Sequence, residues 1–163
     1  MLSGYRENGV RERVFSFPSA EPREACGRGI QDYAPGTPGF FPYGELRGAP
    51  NVLTMRASAP LRIGQASVLT IEGGPPSAAG FLSVSAAEAE AAAFGGCQFV
   101  DFVQEAARLV IACEASGTAT VALNIPNSPN FVSAERFLQA FVHDAAQPQG
   151  WAMSHGLRVL LRQ

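Results

Sequence analysis

A chain of 163 residues with 47% apolar and 16% charged residues has the composition of one globular domain, long enough to bury a core. A formal net charge of −2 sets up no long-range field, which argues against nucleic acid or an anionic membrane surface as partner, and no apolar run approaches a membrane span. All twelve basic residues are arginine, so lysine Schiff bases, lysine general bases and lysine isopeptide crosslinks are excluded.

Residues 1–48 read as an extended N-terminal arm, because Pro18, Pro22, Pro35, Pro38 and Pro42 are too closely spaced for a helix. The opening Met1-Leu2-Ser3-Gly4-Tyr5-Arg6-Glu7 lacks the apolar core of a signal peptide, so either a signal lies outside this numbering, as an extracellular or cell-surface location requires, or the chain is cytosolic. Within the arm, Val10 to Phe17 is the one candidate strand, with Val10, Val14, Phe15 and Phe17 as its apolar side chains. Further along, Tyr33, Phe40, Phe41 and Tyr43 gather beside prolines. Such a run either plugs one edge of a core or, with Trp151, offers rings on which a sugar can stack.

From residue 49 to 163 the pattern is that of short strands separated by turn residues. Leu53, Met55 and Ala57 alternate with Thr54, Arg56 and Ser58, and Leu69 and Ile71 alternate with Thr70 and Glu72. Gly73-Gly74-Pro75-Pro76 forces a turn before a strand at Phe81 to Ser85. The alanine-rich Ala86 to Phe94 has high helix propensity and is expected to form the single short helix, ended by Gly95-Gly96. Strands follow at Gln98 to Val103, Leu109 to Cys113, Gly117 to Ile125, Arg136 to His143 and Leu157 to Arg162, with Trp151 in the loop before the last. Ala119, Val121, Leu123 and Ile125 share one face and Thr118, Thr120 and Asn124 the other. The expected fold is all-β: a two-sheet antiparallel β-sandwich of Ig-like or jelly-roll type, with at most one short helix near 86–94. Leu53, Met55, Leu69, Ile71, Leu82, Val84, Val121, Leu123, Ile125, Leu157 and Val159 are its expected core.

Chemistry-bearing residues are sparse. Ser154, His143 and Asp101 make a triad only on paper, because no strained nucleophile turn presents the serine and His143 and Asp144 project to opposite faces of one strand. No spacing suits zinc or calcium, and Asn127-Ser128-Pro129 is not a glycosylation sequon. No enzyme activity, cofactor or metal is expected. Cys97 and Cys113 flank one hairpin, Cys26 lies in the arm, and the residues by themselves leave open which pair forms a disulfide or whether all three are buried thiols.

Several segments resemble a recurrent β-rich module at the C-termini of large secreted or cell-surface proteins of GC-rich Gram-negative bacteria. The resemblance is carried by Pro60-Leu61-Arg62-Ile63-Gly64-Gln65, Leu69-Thr70-Ile71-Glu72-Gly73-Gly74-Pro75-Pro76, Phe81-Leu82, Gly96-Cys97, Leu123-Asn124-Ile125-Pro126, Gln139-Ala140 and Ser154-His155-Gly156-Leu157, and it spans residues 44–163. It implies a fold and a secreted setting, and no activity. It also implies a disulfide between Cys26 and Cys97, with Cys113 as alternative partner. The expected function is a non-catalytic extracellular structural or filament module that assembles through its arm by strand addition, with other copies of itself or a surface protein as partner. A carbohydrate-binding module is the alternative.

Overall fold

The computed structural model describes the backbone of residues 26–27, 40–43, 45–46, 53–93, 96–147 and 149–161, and the side chains of 53–89, 97–147 and 149–161. Among these residues the chain is built of antiparallel strands, and the only helical segments are two 3₁₀ turns at Phe102–Gln104 and Pro129–Phe131.

Thirteen strands run in chain order: β1 (Cys26–Gly27), β2 (Phe40–Tyr43), β3 (Glu45–Leu46), β4 (Thr54–Ala57), β5 (Ala66–Glu72), β6 (Ala79–Ser85), β7 (Glu88–Ala93), β8 (Gly96–Val100), β9 (Glu105–Ala112), β10 (Ala119–Asn124), β11 (Glu135–His143), β12 (Trp151–Met153) and β13 (Gly156–Leu160). A small sheet has the order β10-β5-β4. A large sheet has the order β2-β13-β11-β6-β9, with β12 also pairing with β11. β7 and β8 form a separate hairpin, and β1 pairs with β3.

Alternation decides which residues face inward. On β5 the buried positions are Ser67, Leu69 and Ile71, and on β10 they are Ala119, Val121 and Leu123. The register sets Val121 opposite Leu69 and Ala119 opposite Ile71, so one face of the small sheet is apolar throughout. On the large sheet Leu82 lies opposite both Leu109 and Ala140, and Leu138 lies opposite Leu157. All of these apolar residues, with Leu53, Met55, Leu61, Ile111, Val142 and Val159, belong to one cluster or pack against it. Burying each large aliphatic side chain contributes roughly 1.5–3 kcal/mol. Of the expected core, Val84 and Ile125 are half-buried at its margin and the other nine are buried.

The other face of the large sheet is apolar too. Val100, Phe137, Phe141 and Met153 form a second cluster, flanked by Phe81, Phe102 and Trp151. β8 lies against β11 and supplies the cover. Here the helix expected over 86–94 is corrected: Glu88–Ala93 is strand β7, paired with β8 across a two-residue connection and interrupted by a bulge between Glu88 and Ala91. A short helix would satisfy its own backbone but would leave β8 without a partner strand. Trp151 is corrected as well. It lies on strand β12 opposite His143 rather than in a loop.

Gly80 marks a close approach of two strands of the large sheet. A Cβ built on it would stand 2.2 Å from the Phe141 carbonyl oxygen and 2.8 Å from Val142 Cα, so β6 and β11 approach as closely as they do only because position 80 has no side chain.

Candidate functional site: an aromatic face beside an open strand edge

Register brings Phe81, Phe141 and Met153 side by side across β6, β11 and β12. The rings of Phe81 and Phe141 stack with centroids 4.8 Å apart and an interplanar angle of 14°. Trp151 meets Phe81 edge-on at 5.6 Å and His143 edge-on at 5.9 Å, while Phe102 tilts against Phe141 at 5.5 Å.

On β9, Arg108 lies over this platform, its guanidinium carbon 4.7 Å from the Phe81 centroid and 5.4 Å from that of Phe102. Arg108 Nη2 lies 2.9 Å from Glu105 Oε2, and its Nε donates to Glu105 Oε1 at 3.0 Å. The buried Ser83 hydroxyl donates to the same Oε1 at 2.7 Å. Burial pushes the Glu105 carboxyl up, but the hydrogen bonds from Arg108 and Ser83 and the nearby positive charge outweigh it, leaving the group below its ordinary pKa. The outcome is a neutralised Glu-Arg pair folded back across the sheet face.

Deeper in the same face, Gln139 is fully buried and uses its whole carboxamide. Oε1 accepts from the Phe99 amide at 2.8 Å, and Nε2 donates to the carbonyls of Cys97 at 2.7 Å and Ser154 at 2.9 Å. The side chain thus acts as a one-peptide strand against the outer edge of β8. The Ser154 hydroxyl accepts from the Ala140 amide and donates to the His155 carbonyl, and Ser85 Oγ donates to the carbonyls of Asp101 or Gln104. Gln139, Ser154 and Ser85 each hold a loop or strand by its backbone, while the buried Ser83 holds the Glu105 carboxylate.

Among the described residues the edge of the sheet next to this platform is open. β9 is the terminal strand, and among the described residues it pairs only with β6. Cys113 N donates to the Ala78 carbonyl, so alternation points the amides and carbonyls of Ile111, Leu109 and Ala107 toward β6 and those of Ala112, Val110 and Arg108 outward. Val110, in the middle of that outward set, is 87% exposed.

The sequence-predicted residues are placed as follows. Trp151 joins the platform and is half-buried. Phe40, Phe41 and Tyr43 lie on β2, which pairs with β13 at the opposite edge of the large sheet. Val10, Val14, Phe15, Phe17 and Tyr33 lie outside the described residues. Cys113 is a free, buried thiol whose pKa burial raises, which makes it a poor nucleophile. Cys97 is buried and is not among the free thiols. The backbone of Cys26 is paired opposite Leu46, and β1 lies against β7. The paper triad does not assemble through any of its bonds: Ser154 is committed to backbone groups, Asp101 Oδ1 accepts from Val103 N, and His143 packs on Trp151. Among the described residues no group of three His, Cys, Asp or Glu side chains is disposed to hold a metal, and no helix is long and apolar enough to cross a membrane. A depression of about 340 Å³ is lined by Ile63, Asn127, Ser128, Pro129 and Val132, and none of these described residues titrates.

Sequence reasoning gave no role to Gln139, the Glu105–Arg108 pair or the Phe81–Phe102–Phe141 platform, although Phe81-Leu82 and Gln139-Ala140 are among the residues that carry the resemblance. The available signal was the run Phe137 to Val142, apolar but for one glutamine, which is the pattern of a strand covered on both faces. Comparison with protein-family models, with curated proteins and with solved structures finds no match for this chain.

Proposed function

We propose that this chain is a non-catalytic structural module that assembles through the open edge of β9 and works outside the cell or at its surface. The observation that carries the reading is the outward row of hydrogen-bonding groups on β9, centred on an exposed valine, with the charged side chain of that row, Arg108, laid over Phe81 and Phe102. Edge strands of soluble proteins are ordinarily guarded by outward charges, prolines or covering loops. Here the arginine of the strand is turned back onto Phe81 and Phe102 instead. An edge left in that state favours strand addition. The apolar cluster shared by the small and large sheets supports reading the fold as a sandwich of Ig-like or jelly-roll type.

The test is particle size. Wild-type protein is expected to associate in light scattering, and Val110→Pro is expected to dissociate it. Proline there removes an outward amide only, so pairing with β6 survives. A Val110→Lys variant, which keeps the amide and adds a guard charge, provides the second reading of the same edge. Association that persists in both folded variants would remove the edge from the proposal.

The proposal includes a disulfide between Cys26 and Cys97. It is supported by the engaged state of Cys97 against the free state of Cys113, and by β1 lying beside β7, whose Ala92 is the register partner of Cys97. Forming the bond passes two protons and two electrons to a disulfide donor of an oxidising compartment, consistent with export. Carbohydrate binding is the second reading, favoured by the half-exposed Trp151 beside His143. It expects polysaccharide binding that is lost in Trp151→Ala, and no binding across a glycan panel removes it.

A further inference from the structure

Resting on the assembly reading, we infer that the strand received by the β9 edge is β9 of a second copy, paired antiparallel about a two-fold axis through Val110. The edge restricts its own partner in three ways. Because Arg108, Val110 and Ala112 carry the outward groups, an antiparallel copy can satisfy them only by setting outward residues opposite outward residues. That leaves a short set of registers. The one centred on Arg108 sets Val110 opposite Ala106 of the copy, beside the shift in the β6–β9 ladder, so its outer hydrogen bonds fall on irregular backbone. The one centred on Leu109 carries its outer pairs into Ala106, the residue skipped where the β6–β9 ladder shifts between Val84 and Ser85, so its hydrogen bonds fall on distorted backbone.

The register centred on Val110 has neither fault. It pairs Arg108 with Ala112 of the copy, Val110 with Val110 and Ala112 with Arg108, all inside the regular part of the ladder. On the outer face the exposed Val110 covers its own equivalent. On the core-facing side Leu109 meets Ile111 of the copy. The two arginines are separated by four residue positions along the strands, roughly 13 Å at the usual rise. Charge points the same way. Glu105 neutralises Arg108 within each copy, so the edge presents an uncharged row to an identical uncharged row. Two large sheets joined in this manner form one continuous sheet, with the aromatic platforms of both copies on the same side.

Cross-strand thiols test the register directly. In the pairing proposed, the Cα atoms at position 110 lie about 5.5 Å apart, within the range a disulfide spans. Val110→Cys in a Cys113→Ala background, treated with oxidised glutathione, is expected to give an interchain dimer within minutes at a concentration where wild type associates. The control is Val103→Cys in the same background. Val103 is 93% exposed but sits in the 3₁₀ turn outside the paired stretch, so it is expected to crosslink at least tenfold more slowly. Equal rates at the two positions would overturn the two-fold pairing. If Val110→Pro dissociates the wild-type assembly while Val110→Cys fails to crosslink, the edge is used by another strand: the assembly reading stands and the symmetric pair falls. Deletion of residues 1–25 separates the cases once more. The symmetric pair expects unchanged association, whereas dissociation would assign the edge to the arm.

Discussion

Replacing Gln139 tests how the second layer of the fold is held. Gln139→Leu keeps the approximate size and shape of the side chain but strands three buried groups, the Phe99 amide and the carbonyls of Cys97 and Ser154. Each unsatisfied buried group costs about 1–3 kcal/mol. Taking the low end for the carbonyls, which keep a second lone pair, and the middle of the range for the amide gives about 4 kcal/mol. Relief from burying the carboxamide returns about 1 kcal/mol of this. A net loss of about 3 kcal/mol is a large share of the 5–15 kcal/mol that ordinarily holds a domain together. Urea unfolding is expected to show it as a lowered midpoint at unchanged slope, and hydrogen exchange is expected to speed up first at Phe99. A loss below about 1 kcal/mol, with Phe99 still protected, would refute the clamp.

Gln139→Glu sharpens the test because its sign depends on pH. One carboxylate oxygen can still accept from the Phe99 amide, but the other faces two carbonyl oxygens where Nε2 used to donate. Burial and those carbonyls both disfavour the ionised form, so the folded pKa is raised above the ordinary 4.3 or so of a glutamate. The protonated acid donates to one carbonyl and is nearly tolerated. The deficit of the variant relative to wild type at the same pH is therefore small below the unfolded pKa and grows as pH rises through the folded pKa. A deficit that is flat from pH 4 to 7, or that grows on acidification, would show that this carboxamide does not hold β8.

Three further outcomes follow from other parts of the molecule. The Glu105 pKa is depressed in the fold, so the stability it contributes is present above the unfolded pKa and is lost as pH falls through the folded one; Arg108→Ala is expected to flatten that acid limb and to cost about 1 kcal/mol through the uncovered rings, read by urea titration at pH 3 and 7. Gly80→Ala drives a methyl group into the Phe141 carbonyl and is expected to cost about 3 kcal/mol, seen as a fall in Tm; an unchanged Tm would show that β6 and β11 can separate there at no cost. Alkylation in denaturant without reductant is expected to label one thiol, Cys113, and three after reduction; three labels before reduction would remove the proposed crosslink.

The small sheet and the inner face of the large one are legible in the sequence because each strand there has one buried and one exposed side. β5 and β10 alternate in the letters as they alternate in space. The outer layer was not legible by the same rule. β11 is buried from Phe137 to Val142 on both faces, so it carries no alternation to read. β7 was hidden for a different reason. Its Glu-Ala-Glu-Ala-Ala-Ala has the propensity of a helix, and it is a strand because Cys97 and Gln98 provide the register partners Ala92 and Ala91. Propensity is a local preference of a few tenths of a kcal/mol per residue, and a ladder of hydrogen bonds to a hairpin partner outweighs it. Of the candidate sites, Trp151 was visible as an isolated aromatic, but the rings around it come from β6, the 3₁₀ turn and β11, which only the pairing brings together.

The two faces of the large sheet also explain why its edge matters. A sheet covered on one side can shed an exposed edge by twisting away or curling around its core. This sheet is covered on both sides, by the small sheet and by the β7–β8 hairpin, and Gln139 and Ser154 tie the second cover to its middle strand. β6 is fixed against β11 by the close approach at Gly80, and β9 follows β6 through six regular pairs from Ala79–Ala112 to Val84–Ala107. The edge is thereby backed by packed layers on both sides. A rigid edge loses little conformational entropy when a second strand docks, so fewer hydrogen bonds suffice to hold one. The same buried glutamine that clamps the hairpin thus bears on assembly. Gln139→Leu is expected to weaken association as well as folding, and under conditions where the variant remains folded the weakened association should be rescued by the Val110→Cys crosslink.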